Sequence, residues 1–129
     1  MRTFVAIVSL SALAILIAPA RAQDAAAGER LFVKCRACHQ VGEGARNLVG
    51  PQLNGIVGRP AASIDKYAYS PAMKGSGLTW DEETLAAYLR DPRGKVPRNR
   101  MVFPGLKKDS EIADLIAYLK RFDADGARR

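Results

Sequence analysis

Both cysteines and the one histidine of the chain fall within five positions, in Cys35-Arg36-Ala37-Cys38-His39, and two thiols beside an imidazole suit four chemistries. A structural zinc site takes four ligands, usually from two paired hooks. Here there is one hook and no further Cys or His, so carboxylates would have to complete the set. A thioredoxin-type dithiol belongs at a helix N-terminus in a βαβ frame, whereas this pair follows a helical stretch in a chain without convincing strands. A disulfide closing so short a loop restrains little of the unfolded chain and leaves the histidine without a part. Covalent haem attachment employs all three side chains: each cysteine sulfur adds to one vinyl group, and His39 becomes an axial ligand of the iron.

With the histidine committed, the second axial ligand must be another soft donor, and beyond residue 22 these are Met73 and Met101. Met101 stands in Pro97-Arg98-Asn99-Arg100-Met101-Val102-Phe103-Pro104-Gly105, where prolines on both sides suit a ligand held in fixed geometry. Met73 falls in a short helical stretch, where methionine more often packs than ligates. A thioether ligand raises the reduction potential of a haem iron.

The elements that must position these groups read as helices joined by long loops. Asp24 is a fitting N-cap for a helix to about Lys34, which delivers the chain to Cys35. Residues 41–59 carry five glycines and one proline without periodicity and read as loop. Ser70-Pro71-Ala72-Met73 opens a short helix. Thr79-Trp80-Asp81-Glu82 fits a capping box for a helix to about Arg90, stopped before Pro92. Residues 93–107 read as loop again. The last helix, capped by Asp109 or Ser110, places Ile112, Leu115, Ile116, Leu119 and Phe122 on one face, with Lys120 and Arg121 at its C-terminal end. The fold class is all-α, and its loops need a partner to pack against, because a loop cannot bury its own backbone unaided.

The first 22 of the 129 residues stand apart. Arg2 precedes an apolar run from Phe4 to Ala18, and Ala20 and Ala22 supply small residues, which is the pattern of a secretory signal cleaved after Ala22. Fifteen residues also fall short of the roughly 20 that span a bilayer. Residues 23–129 then form one domain with 18 basic and 13 acidic residues, a net charge of +5. That excess suits acidic partners. Arg36, Lys74, Arg93, Lys95, Arg98, Arg100, Lys107 and Lys108 gather around the haem-bearing loops and are expected to form a positive rim.

These blocks, GERLFVKCRACH, VGPQLNGIVGR, YAYSPAMKGSGLTW, ETLAAYLRDP, MVFPGLKK and DLIAYLK, resemble, in order, the class I cytochromes c, and most of all the bacterial periplasmic type similar to the mitochondrial protein. The resemblance covers nearly all of residues 23–129. It implies a small all-α fold in which the N- and C-terminal helices cross and loops wrap a covalently bound haem c. It also implies haem attachment at Cys35 and Cys38 and iron ligation by His39 and Met101. Further, it implies that the Pro51 carbonyl accepts the free ring N–H of His39, that Arg59, Tyr69 and Trp80 stand near the haem propionates, and that Tyr88 hydrogen-bonds near the methionine sulfur. Gly28 and Phe32 match first-helix positions that cross Leu115 and Tyr118.

Three departures from the mitochondrial pattern stand out. Two residues, one fewer than usual, separate Phe32 from Cys35. Met73 replaces an asparagine of the haem-side hydrogen-bond network. Asn99-Arg100 replaces Thr-Lys before the methionine, with Asn99 still able to donate a hydrogen bond.

The implied role is that of a periplasmic, monomeric one-electron carrier and not an enzyme. It would meet acidic redox proteins such as a cytochrome bc complex and a terminal oxidase, a photosynthetic reaction centre or a periplasmic dehydrogenase. Contact with membranes would be transient docking only, and nucleic acid is not a partner.

Overall fold

The structure, a computed structural model, describes residues 23–129; the expected signal segment 1–22 lies outside the described residues. Among the described residues five helices follow in order: α1 (Ala25–Phe32), α2 (Pro71–Lys74), α3 (Glu82–Arg90), α4 (Pro92–Lys95) and α5 (Asp109–Leu119). Among the described residues there is no sheet, only isolated bridges between Pro60 and Thr79 and between Phe122 and Arg128. The all-α class is therefore as expected. No helix among them is long and apolar enough to cross a membrane.

The two terminal helices cross. Asp24 caps α1, its carboxylate accepting from the N–H groups of Ala26 and Ala27 at 2.9 and 3.1 Å, which satisfies donors that the helix itself cannot. The backbone N–H of Asp24 in turn donates to Asp114 Oδ1 at 2.8 Å, so the buried carboxylate on α5 is bonded to the start of α1. Gly28 makes the crossing possible: a Cβ there would lie 1.9 Å from the Asp114 carbonyl oxygen. Phe32 packs at a tilt against Tyr118 with centroids 5.4 Å apart, and Tyr118 meets Phe122 edge to face at 5.2 Å. The apolar face read from the sequence of α5 is the buried one; Ile112 and Leu115 keep 2% and 1% of their surface. Emptying either position to alanine costs about 3 kcal/mol by the usual measure for fully buried aliphatic side chains.

Local chemistry places the other elements, with three corrections to the sequence reading. Ser70 caps α2 with Pro71 at its first position, as expected. The cap of α3 is Asp81, bonded to the Thr84 N–H at 2.7 Å, and not Thr79. Thr79 and Trp80 are engaged in an extended pairing instead: Trp80 N–H donates to Arg59 O, and Gly58 N–H to Trp80 O.

The segment after α3 is not all loop. Asp91 accepts from Gly94 N–H and Pro92 opens α4, a single turn too short to show periodicity. Finally, α5 begins after Lys108 without a side-chain cap. Asp109 lies within its first turn, and its carboxylate pairs with Arg90. Asp109 and Glu111 still favour that end of the helix electrostatically.

Candidate functional site

The space between the crossed helices and the loops is a cavity of about 710 Å³. It is large enough for a cofactor-sized group. All nine residues that the sequence singled out line it: Cys35, Cys38, His39, Pro51, Arg59, Tyr69, Trp80, Tyr88 and Met101.

One wall grows out of α1. The turns after Phe32 continue the helical winding, with Cys35 N–H donating to Phe32 O and both Cys38 N–H and His39 N–H to Cys35 O. This brings the two cysteines and the histidine to one side of the cavity. Both thiols are free and half-buried. Burial, reinforced by the neighbouring Cys38, pushes the Cys35 thiol up to about 11.

His39 Nδ1 donates to Pro51 O at 2.7 Å. A carbonyl can only accept, so Nδ1 carries the hydrogen and Nε2 keeps its lone pair. Burial pulls the imidazole below its ordinary value, with Arg59 adding to this and the Pro51 bond opposing it. The ring is therefore a neutral donor. Gly50 lies flat against it; a Cβ would come within 2.4 Å of Cε1.

Another wall is built by α3 and by residues 99–103 of the loop that follows α4. Tyr88, buried on α3 and stacked against Trp80 with centroids 4.8 Å apart, directs its hydroxyl to Met101 Sδ at 3.9 Å. Burial holds the phenol up at about 12, so it stays a donor. The Asn99 side chain donates hydrogen bonds, as expected, from Nδ2 to Pro92 O and Val96 O, and its Oδ1 accepts from Met101 N–H.

A third side carries polar groups suited to acids. The Arg59 guanidinium donates to Asn54 O at 2.9 Å and, more weakly, to Gln52 O, while its buried Nε–H has no partner among the described residues. Tyr69 accepts from Ile64 N–H at 3.3 Å, which leaves its own O–H to donate. A cationic donor left without an acceptor among the described residues, beside a phenol whose O–H remains to donate, in a largely apolar cavity, answers the carboxylates of a haem, because a buried polar donor is costly unless a partner meets it. Two thiols, one imidazole lone pair and one thioether complete a donor set that fits the same group.

Two features of the mouth were not read from the sequence. Tyr67 O–H donates to Val49 O at 2.6 Å and Asn47 Nδ2 to Asp65 O at 3.1 Å, tying two loops together over the cavity. These bonds join residues 18 apart in structureless segments, so no periodicity announced them. Of the basic residues expected at a rim, Arg100 lines the cavity, joined by Lys34 and Lys66, which that reading left out. Lys107 is engaged, its ammonium donating to Arg90 O and Pro104 O. Among these charges, Val102 and Val49 are 91% and 77% exposed.

The family model for Cytochrome c matches residues 25–123. The chain belongs to the cytochrome c family. Among its relatives, cytochrome c2 of Blastochloris viridis is 51% identical over 120 residues, 93% of this chain and 94% of that protein. Cytochrome c-550 of Nitrobacter winogradskyi is 52% identical over 103 residues, 80% of this chain and 94% of its own. The solved structure of cytochrome cH from Methylobacterium extorquens superposes with a TM-score of 0.71 at 51% identity, covering 75% of this chain and 97% of that one. This cytochrome carries haem c covalently and is a one-electron carrier, not an enzyme.

Proposed function

We propose that Cys35 and Cys38 hold the haem through thioether bonds, and that His39 Nε2 and Met101 Sδ are the two axial ligands. The observation that carries this assignment is the convergence of these four side chains on one cavity, with the imidazole already in the ligating tautomer. When bound, the haem supplies an iron that takes up and releases one electron. Pro51 and Gly50 fix the plane of the His39 ring, a bond of the kind that orients a ligand and tunes its metal. Tyr88 offers its hydroxyl to the Met101 sulfur. Arg59 Nε–H, the Tyr69 hydroxyl and Trp80 line the cavity where they would meet the acidic groups of the cofactor and keep them inside. Held by both His39 and Met101, the iron would have no position left for a substrate, which suits transfer and not catalysis.

At the mouth, exposed Val49 and Val102 lie among Lys34, Lys66 and Arg100. The cytochrome passes electrons between redox complexes by brief docking of this face on acidic partners, such as a cytochrome bc complex and a terminal oxidase, a photosynthetic reaction centre or a periplasmic dehydrogenase. Long-range attraction of this kind speeds encounter without tight binding. The chain works in the periplasm as a monomer, after removal of residues 1–22 as a signal peptide.

The oxidised protein should show a far-red sulfur-to-iron absorption band that disappears in Met101→Ala. Absence of the band in the unaltered protein overturns the ligand assignment. Transfer rates to a partner should fall as salt is added; rates independent of ionic strength overturn the docking face.

A further inference from the structure

We infer that Asn99 is a positioning residue for the methionine ligand, setting how firmly Met101 is seated; this rests on Met101 being an axial ligand. The thioether side chain is flexible and polarisable, and the Tyr88 hydroxyl that hydrogen-bonds its sulfur is as far as 3.9 Å away. The position of the sulfur must therefore be set largely by the backbone of Met101. Asn99 provides that setting. Its Oδ1 accepts from the Met101 N–H at 2.9 Å, a local side-chain turn of the kind asparagine favours. Its Nδ2 donates to Val96 O at 2.8 Å and to Pro92 O at 2.9 Å. All three bonds are made by one side chain.

The far ends of those bonds are fixed. Pro92 and Val96 are buried, the first opening α4 and the second closing it. The residue before Asn99 shows what the arrangement demands: Arg98 adopts a φ of 64°, a left-handed conformation unusual for a residue with a side chain. That turn brings the Asn99 amide back toward α4. On the other side of Met101, the chain is next held at Pro104, whose carbonyl accepts from the Lys107 ammonium, and then by Leu106 N–H to Leu89 O, five residues on. Asn99 is thus the near anchor. His39 needs no equivalent, since its ring is held directly through Nδ1.

Imidazole competes with a methionine for ferric haem iron, so its affinity for the oxidised holoprotein reads how firmly Met101 is seated. Losing the Asn99 bonds should tighten imidazole binding about tenfold in Asn99→Ala, the weight of one or two ordinary hydrogen bonds, and weaken the far-red band. Asn99→Asp separates the halves of the device: it keeps the acceptor for Met101 N–H but turns a carboxylate oxygen toward two carbonyls. It should therefore bind imidazole at least as tightly as Asn99→Ala.

Asn54→Ser loosens a buried side chain bonded to Gly42 and outside the cavity lining. It should lower the unfolding temperature and leave imidazole affinity unchanged. Wild-type imidazole affinity with an intact band in both Asn99→Ala and Asn99→Asp overturns the inference, and so does an Asn54→Ser effect equal to theirs. An unaltered protein without the band fails at the Met101 assignment instead. Should Asn99→Ala yield no holoprotein, Asn99→Thr is read in its place: imidazole binding about threefold tighter supports the role, and no change overturns it.

Discussion

The α1–α5 crossing and the loop-walled cavity are made by opposite means. At the crossing, every surface meets another surface of the same chain: Gly28 against the Asp114 carbonyl, Phe32 against Tyr118, Asp24 N–H on the Asp114 carboxylate. At the cavity, the chain ends in groups that ask for something it does not contain. Arg59 Nε–H has no acceptor among the described residues, His39 keeps the lone pair of Nε2, and largely apolar side chains surround about 710 Å³. A helix pair can be completed by its own sequence, whereas loops rich in glycine and proline are completed by a cofactor. Both regions use a close-packed glycine, but Gly28 meets rigid backbone and Gly50 meets one side chain.

That contrast can be broken in four ways. The largest effect should come from Cys35→Ala combined with Cys38→Ala, which prevents attachment and removes covalent haem from a pyridine haemochrome assay. Amide exchange should then keep its slowest positions in α1 and α5 and lose protection in residues 41–59 and 92–107. Protected loops in that variant would show that the cavity walls stand without the cofactor.

Gly28→Ala comes next, at about 3 kcal/mol of lost stability in denaturant titrations, because neither backbone can give way to the added methyl. The haem spectrum of the folded fraction should not change. In Gly50→Ala the cost should be smaller, about 1–2 kcal/mol, since the His39 ring can shift. Its signature is spectral: the visible bands should move with the ring.

The smallest effect belongs to Asp81→Ala. Hydrogen bonds from Thr84 hold this carboxylate below its usual 3.8. Its cap therefore strengthens the fold above that pH and is lost as pH falls through the lowered value. Thermal midpoints of the variant and the unaltered protein should differ at neutral pH and converge in acid, with identical spectra.

What the sequence disclosed follows the same division. The face of α5, the Asp24 cap and the Ser70-Pro71 start could be read because they depend on neighbours within a turn or two. Thr79 misled because its capping pattern competes with an extended bridge to Pro60, nineteen residues earlier, and the bridge wins. Single-turn α4 left only Asp91-Pro92 as a trace. The cavity residues were legible as residue types and through family resemblance, yet their mutual placement depends on contacts such as Tyr67 to Val49 that local pattern does not carry. Lys107 shows the limit for charge: as a letter it belongs to the rim, and in the fold its ammonium caps the end of α3.

The helix crossing also bears on the connectivity of the molecule. Because α1 and α5 lie against each other, the two ends of the described chain meet, and Arg128 pairs with Glu29 at 3.5 Å. The path of the backbone is nearly a closed ring. A short linker could join the ends, and new termini could open at the exposed Glu43-Gly44 turn, where circular permutation is tolerated best. Such a chain would begin with the cavity wall and carry its crossed helices as one continuous hairpin.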